Sequence, residues 1–450
     1  MGIEHYDILV VGTGTAGQTV AKKSVKAGKK VAVADNREYG GTCPNRGCDP
    51  KKVLIGLSEI MDRARQIKGK GITKLPEFSW PDLMKFKEQF TGPIPFATER
   101  DFKDLGIKLF HQSPEFLDTN KLSVEGKTIT ADKIVIATGQ KPLELPIPGA
   151  EYTQFSDDFL EMKELPKSII FIGGGYVGME FAHLATSLGV EVTLFDGNKL
   201  PLKNFDPDMA AHLKTASEEM GINFELEARV KKVEKLQKYY RVVAERNGKE
   251  IEAKAEAVFN CAGRVPSIAD LNLDAGKVSY SKKGVEVNEF LQNPGNPDVF
   301  ACGDVSDSSG LPLTPLSTRE SIFVAKNLLQ ETMQPIDYPA QPSCVFTHPQ
   351  LASVGLSEEE AKSRFKSVTV KSSDASHYFN AKRVNAKTYA YKTILNDRDG
   401  AIVGAQLVGP DAAETINLFM LVIAGEIDKA QLKKLIFTYP SWGSDIKGMC

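Results

Sequence analysis

Apolar positions along the chain fall into a unit that occurs twice. Residues 6–11 (YDILVV) form a short, largely apolar strand that runs into Gly12-Thr-Gly14-Thr-Ala-Gly17, followed by a helical stretch over 18–27 and a second strand over 30–35. Residues 168–172 (SIIFI) lead in the same way into Gly173-Gly-Gly175-Tyr-Val-Gly178, a helix over 179–188 and a strand over 191–196. In each copy an aspartate closes the second strand 23 positions after the first glycine: Asp35 after Gly12, Asp196 after Gly173. Glycines at the end of a strand and the start of a helix let backbone N–H groups approach a pyrophosphate, and the acid after the next strand can accept from ribose hydroxyls. Two such units predict two bound dinucleotides.

Between and after these units the pattern alternates. Residues 51–63 carry Val53, Leu54, Leu57, Ile60 and Met61 at a helical period, 78–104 reads as helix, and 107–122 as irregular strands. Residues 133–139 (KIVIATG) and 257–263 (AVFNCAG) are twin strands ending in small-residue turns, and 317–329 reads as helix. From Pro335 the composition shifts to a prolyl linker and then to strands at 343–355 and 401–409, with helices at 357–364 and 412–424. The architecture expected is α/β: two Rossmann-like dinucleotide-binding domains and a C-terminal α+β domain. The boundaries expected are 1–148 and 266–335 for the first nucleotide domain, 149–265 for the second, and 336–450 for the last.

Composition narrows the function classes. At 450 residues the chain exceeds one typical core. A net charge of −2 without polybasic runs argues against nucleic acid and against a membrane surface. The start, MGIEHYDILVVG, lacks the basic flank of a signal peptide, and the longest apolar run near the C-terminus, 418–425, is too short to span a bilayer. A cytoplasmic protein is expected. Of six cysteines, Cys261, Cys302 and Cys344 sit in apolar strand-like surroundings and read as buried structural thiols.

Chemistry concentrates at 40–54 (GGTCPNRGCDPKKVL). Cys43 and Cys48 lie five positions apart, just before the helical run. A cysteine near a helix N-terminus is biased toward thiolate, and Lys52, four residues on, would share its face and add positive charge. A structural disulfide closing so short a loop would add little stability, and no further Cys or His flanks the pair at zinc-site spacing, so no metal site is expected. Redox chemistry is the reading these residues favour.

This segment resembles the active-site segment of the class I pyridine nucleotide-disulfide oxidoreductases, the family of dihydrolipoamide dehydrogenase, glutathione reductase and mercuric reductase, whose usual form is GGTCxNxGCxPSKxL. Lys51 stands where the family has serine; the other signature positions match. The resemblance implies FAD at Gly12, Gly14, Gly17 and Asp35, with Gly41, Thr42, Lys52, Thr138 and Gly139 around it. It implies NAD(P)H at Gly173, Gly175, Gly178, Asp196 and Gly263, with Tyr176 covering the nicotinamide pocket and Glu180 pairing with Lys52. Cys43 would be the thiol that attacks substrate and Cys48 the one facing the flavin. Residues 298–307 (DVFACGDVSD) resemble the second flavin motif, in which Gly303 lets backbone approach and Asp304 accepts from the ribityl chain; on residues alone Asp304 is equally an ordinary turn aspartate.

The C-terminal region resembles the family's interface domain, which implies a homodimer. His348 aligns with a structural position. The family's HPTxxE, whose histidine serves as acid and base for the thiol, is here Tyr439-Pro440-Ser441-Trp-Gly-Ser444, with tyrosine for histidine and serine for glutamate. An unperturbed tyrosine, pKa about 10, is no resting base at neutral pH, although it can donate. Mercuric reductases also depart from this motif and use a C-terminal cysteine pair; here there is one, Cys450, expected to be an incidental thiol on a frayed tail. The expected enzyme passes electrons from NAD(P)H, NADH by virtue of Asp196, through FAD to Cys43–Cys48 and on to a disulfide-type small molecule. Alternatives are a metal-ion or quinone-like acceptor, or a redox-sensing or binding protein with feeble turnover.

Overall fold

The computed structural model describes residues 3–450, and the chain divides into two compact units. The first takes the chain up to Val53 with Leu83–Leu143 and Arg264–Tyr338. Its seven-stranded sheet runs Lys108–Phe110, Val31–Ala34, Glu4–Val11, Lys127–Ile136, Lys121–Val124, Glu115–Asp118, with Val299–Ala301 also paired to Lys127–Ile136. Val11 is in register with Ala34 on one side and Ile136 on the other, all parallel. The Gly12 turn, Asp35 and the Ala137-Thr138-Gly139 turn therefore leave the sheet at one edge, outside the carboxyl ends of the strands, where doubly wound sheets bind nucleotides.

Alternate residues of these strands serve two cores. Ile8, Val10, Val31, Val33 and Val135 pack with Ala16, Val20 and Ala21 of the helix Thr15–Lys26 and Val324 of Thr314–Leu329. Leu9, Val11, Ala32, Ala34, Ile134 and Ile136 face the other way, onto Phe110, Phe116, Leu122 and Val285. Burial on both faces is why these strands read as unbroken apolar runs rather than as alternating ones.

The second unit comprises Leu54–Asp82, Glu144–Gly263 and Pro339–Cys450. A four-stranded parallel sheet, Ile222–Glu225, Glu191–Phe195, Ser168–Ile172, Ala257–Asn260, repeats the edge geometry: Ile172 is in register with Phe195 and Asn260. The C-terminal part is a five-stranded antiparallel sheet in the order Ser343–Val345, Gln350–Gly355, Ile402–Gly409, Ala390–Asn396, Val368–Asp374. The helix Ala412–Ala424 packs on it through Ile416, Phe419 and Val422.

Several expectations are corrected. The helix expected over 78–104 is two helices, Trp80–Thr91 and Ile94–Asp104, because Gly92-Pro93 stops the first and Pro93 has no N–H to continue it. An antiparallel meander, Arg229–Lys235, Tyr240–Arg246 and Lys249–Ala255, has no counterpart in the pattern. Its buried face (Val233, Val242, Ala244, Ala255) is diluted by Lys, Arg and Glu on the other. Cys261 and Cys302 are buried as expected, but Cys344 is only half-buried. Among the described residues no helix is long and apolar enough to cross a membrane.

Candidate active site

The first unit builds one edge of the site from the Gly12 turn. Gly12 has φ +102°, and a Cβ there would lie 2.3 Å from the Ala137 carbonyl oxygen. Gly17 lies so close to this turn that a Cβ would sit 2.0 Å from the Gly12 carbonyl oxygen, so the helix N-terminus is pressed against the strand end. The Thr13 N–H and hydroxyl both donate to Asp35 Oδ2, at 2.8 and 2.7 Å. Gly40 N–H donates to the same hydroxyl at 3.3 Å, and a Cβ on Gly41 would come within 2.3 Å of Gly14 Cα. The glycine turn and the cysteine segment are thus stacked backbone on backbone.

The cysteine segment forms two consecutive helices, Thr42–Arg46 and Cys48–Gln66, broken at Gly47. Cys43 lies in the first; Cys48 is the first residue of the second, as its sequence position implied. Asn45 Nδ2 donates to the Tyr39 carbonyl (3.0 Å), and Arg46 pairs with Glu38 at 2.6 Å. Cys48 Sγ lies 3.4 Å from Thr314 Oγ1, and Cys43 Sγ donates to Asp49 Oδ1 at 4.0 Å.

Electrostatics divide the thiols. A hydrogen bond from Cys43 brings Cys48 down to about 6 against its burial, helped by the Thr314 hydroxyl and the Lys51 ammonium and opposed by Asp49. Cys43 is held far above the usual thiol range by its hydrogen bond to Cys48, by burial and by the Cys48 charge. Lys51, next to the Lys52 that sequence reasoning named, is one source of the positive charge that lowers Cys48.

Gly303, at φ +76°, sits at the end of Val299–Ala301 and donates its N–H to Glu320 Oε2 at 2.6 Å. Glu320, 2% exposed, also accepts from Ser308 (2.5 Å) and Tyr338 (2.7 Å). Burial pushes the Asp304 carboxyl up, while Arg264 and the Ser317 hydroxyl draw it back. Gln140, Asp304, Ser306 and Ser317 line a polar cavity of about 180 Å³. Sequence reasoning missed Glu320, Thr314 and Asp49, for which no spacing rule exists.

The second unit repeats the turn. Gly173 has φ +109° and its Cβ would lie 2.4 Å from the Cys261 carbonyl oxygen; that of Gly178 would lie 1.9 Å from the Gly173 carbonyl oxygen. Gly174 N–H donates to Asp196 Oδ2 (2.6 Å), and Asn198 donates twice to Oδ1, each at 2.7 Å. Tyr176 opens the helix Tyr176–Ser187 and lies 5.4 Å from the Phe205 ring; burial raises its hydroxyl. Glu180, 1% exposed, accepts from Phe346 N–H at 2.9 Å through Oε1.

His348 is structural: its backbone N–H donates to His183 Nδ1 at 3.1 Å and its Nε2 lies 2.7 Å from Ser58 Oγ. Burial holds His183 neutral, so its Nε2–H donates to Ser217, whose hydroxyl donates on to Leu213. Tyr439 is 71% exposed, 6.3 Å ring to ring from Phe379. Ser444 caps the last helix with Ser441. Cys450 is not on a frayed tail: it is 2% exposed beside Ile446 and Met449, and burial pushes its thiol up to about 11.

The residues present fit a flavin dinucleotide. Gly12 and Gly17 admit no side chain, and the buried Thr138 hydroxyl and Asn45 Oδ1 find no partner among the described residues. A model of pyridine nucleotide-disulphide oxidoreductases matches residues 6–327, and one of the dimerisation domain of that family matches 341–450. Glutathione reductase of Burkholderia cepacia is 30% identical over 97% of this chain and 96% of its own length. Mercuric reductase of Staphylococcus aureus is 31% identical over 93% of this chain and 77% of its own. The HOCl-induced flavoprotein disulfide reductase RclA from Escherichia coli superposes with a TM-score of 0.87 at 27% identity, covering 99% of both chains. The chain belongs to the pyridine nucleotide-disulphide oxidoreductase family, whose members are NAD(P)H-dependent FAD disulfide oxidoreductases.

Proposed function

We propose that this chain relays two electrons from NAD(P)H, NADH in preference, through FAD and the Cys43–Cys48 disulfide to a small disulfide-type acceptor. The observation that carries the reading is the pair of thiols at the starts of adjoining helices, one biased to thiolate and one to thiol. FAD, when bound, supplies the two-electron chemistry that links nicotinamide to disulfide. Gly12, Gly14 and Gly17 would hold its pyrophosphate at the helix N-terminus and Asp35 its ribose, with Gly41, Thr42, Thr138 and Gly139 alongside. Gly303 and Asp304 would hold the ribityl side. Gly173, Gly175, Gly178, Asp196 and Gly263 would hold the nicotinamide nucleotide, with Tyr176 as cover. Lys52 and Glu180 would pair beside the flavin. On reduction the Cys43–Cys48 bond takes two electrons and one proton, leaving a Cys43 thiol and a Cys48 thiolate.

The FAD domain would comprise 1–148 and 266–335, the NAD(P) domain 149–265 and the interface domain 336–450, in a cytoplasmic homodimer. Exposed Leu421, Ile436 and Tyr439 on the last domain support the dimer; light scattering tests it. A metal ion is the second reading for the acceptor. It is favoured by the absence of His and Glu at 439 and 444, where a thiol base would be needed, and by the likeness to mercuric reductase. Steady-state turnover against lipoamide, oxidised glutathione, other small disulfides, quinones and mercuric ion decides between them. A disulfide should lead; turnover of mercuric ion alone would reverse the assignment.

A further inference from the structure

The strand Ala390–Asn396 is buried along its whole length, yet its third residue is a lysine. Lys392 Nζ lies 2.8 Å from Asp206 Oδ2, 2.6 Å from Asp208 Oδ2 and 3.2 Å from Glu358 Oε2, one acid for each of its three protons. Packing alone does not ask for a charge there, because taking an ion pair out of water costs about what the pairing returns. What the ammonium supplies is direction: its partners come from two separate segments of the same compact unit. Glu358 begins the helix Glu358–Arg364, whereas Asp206 caps the helix Pro207–Met220 and Asp208 lies in its first turn.

Asp206 divides its two oxygens. Oδ1 accepts from the backbone N–H groups of Asp208 at 3.0 Å and Met209 at 3.2 Å, and Oδ2 takes the lysine. The chain just before it runs past the second glycine turn. Leu202 N–H donates to the Gly174 carbonyl at 2.8 Å, and Phe205 N–H donates to the Leu202 carbonyl at 2.8 Å. Leu202 has φ +57°, a left-handed conformation that leucine keeps only where its surroundings fix it. The Phe205 ring lies 5.4 Å from that of Tyr176. This loop is therefore fastened at both ends, to the glycine turn at Leu202 and to Lys392 at Asp206.

We propose that Lys392 is a positioning residue for the nicotinamide nucleotide: through Asp206 it holds the strained 201–206 loop against the Gly173–Tyr176 turn, with Phe205 set against Tyr176. This rests on the reading of the Gly173 turn as the nicotinamide-nucleotide site. Without the lysine, Asp206 keeps its cap and loses its anchor. Leu202 is then free to leave the left-handed region, and Phe205 no longer supports Tyr176.

The test uses the FAD-loaded full chain and follows anaerobic reduction of the flavin by NADH in stopped flow, so that the dissociation constant and the limiting rate are separated; thermal unfolding is recorded beside it. Lys392→Met should raise the Kd for NADH about tenfold and leave the limiting rate within about twofold. Asp206→Asn keeps a cap oxygen and turns an amide toward the ammonium, so its Kd should rise by a similar factor, and the double variant should be no worse than Lys392→Met alone. Glu358→Gln removes a partner of the same ammonium from a helix that does not carry the loop, and its Kd should stay within about twofold of the parent whatever its melting temperature. A folded Lys392→Met with the parent's Kd overturns the proposal, and so does a Glu358→Gln that weakens NADH as much as Lys392→Met does. Should Lys392→Met fail to fold, Asp206→Asn against Glu358→Gln decides by the same criterion. If Gly173→Ala keeps the parent's Kd, the nucleotide does not bind at this turn and the underlying reading fails; a weakened Gly173→Ala beside an unaffected Lys392→Met removes only the tether.

Discussion

The two glycine turns are nearly superimposable in chemistry, yet they differ at one position that decides what each is attached to. In both, the first glycine lies in the left-handed region with a carbonyl where its Cβ would be, and its N–H reaches the end of the neighbouring strand, to Ala34 at 2.7 Å and Phe195 at 2.8 Å. In both, the next backbone N–H is held by the strand-end aspartate. That residue is Thr13 in the first turn and Gly174 in the second. Thr13 spends its hydroxyl on Asp35 and on Gly40, tying turn to cysteine segment. Gly174 has no room for this: a Cβ would stand 2.9 Å from Asp196 Oδ2 and 3.2 Å from Leu194 and Pro201. One architecture makes a turn tied to the cysteine segment and a turn sealed against its own loop.

Breaking each turn at its first glycine should separate the two roles most sharply. Alanine at Gly12 or Gly173 meets a backbone oxygen and adds left-handed strain of ~1–3 kcal/mol before any clash is counted. Gly12→Ala should purify with less than about a tenth of the parent's flavin, a loss of at least ~1.4 kcal/mol in binding. Gly173→Ala should keep its flavin and lose at least tenfold in the rate of flavin reduction at low NADH. The absorbance ratio of flavin to protein, with stopped-flow reduction, reads both. Flavin loss from Gly173→Ala and not from Gly12→Ala would falsify the assignment of the turns.

A smaller effect is expected at the position where the turns diverge. Thr13→Ala removes two side-chain hydrogen bonds, each worth ~0.5–1.5 kcal/mol, and unlatches Gly40. Flavin affinity should fall several-fold, and the alkylation rates of Cys43 and Cys48 should change with it. At Gly174 the same alanine should leave the thiols alone and raise KM for the nicotinamide nucleotide. Unchanged thiol reactivity in Thr13→Ala would show that the Gly40 contact carries no coupling.

Much of this was legible in the sequence because it depends on what glycine permits. Gly12 and Gly173 announce themselves by sitting between an apolar strand and a helix, and the Cys43–Cys48 spacing before a helical run placed Cys48 at the helix start. What was illegible depends on long-range charge and packing. Helical spacing could not single out Lys51, one of the groups that act on Cys48, because Lys51 and Lys52 both neighbour it within a turn. Glu320 is a helix residue whose four donors come from the 303–308 turn and from Tyr338. Lys392, 3% exposed in the middle of an apolar strand, is paired with Asp206, Asp208 and Glu358. Cys450 read as a tail because nothing local signals that Ile446 and Met449 carry it into a core.

Nucleotide choice sharpens the comparison at the aspartates. Asp35 and Asp196 each hold the backbone N–H that follows their turn's first glycine, but only the second would face a ligand that exists with or without a 2′-phosphate. NADH should give the higher kcat/KM. Asp196→Asn keeps the shape and removes the charge, so kcat/KM for NADPH should rise about fivefold, the ~1 kcal/mol of a partly exposed charge. A parent enzyme that prefers NADPH would show that Lys199 and Lys203, close by in sequence, outweigh the carboxylate.

The smallest effect is expected at Tyr439, where the chain gave up its family's histidine. Its ring is largely exposed, so Tyr439→Phe should leave the fold within ~0.5 kcal/mol of the parent. The hydroxyl can donate one hydrogen bond to an acceptor molecule, worth ~0.5–1 kcal/mol, so acceptor turnover should fall about threefold while flavin reduction by NADH is unimpaired. Full turnover in Tyr439→Phe leaves the ring as interface packing only. Restoring the pattern with Tyr439→His and Ser444→Glu asks the converse question. Ser441 and Ser444 already form a capping box at the last helix, and glutamate in place of Ser444 can keep one, so the double variant should fold. Disulfide reduction should stay low and native turnover should drop. Trp442, between the two positions, is packed edge-on against Tyr389 at 5.1 Å with Arg383 over its ring, so the substituted pair would not meet freely. A gain in disulfide reduction would instead mean that the thiol chemistry was only damped by the loss of histidine, and that the Cys43–Cys48 pair still needs a base.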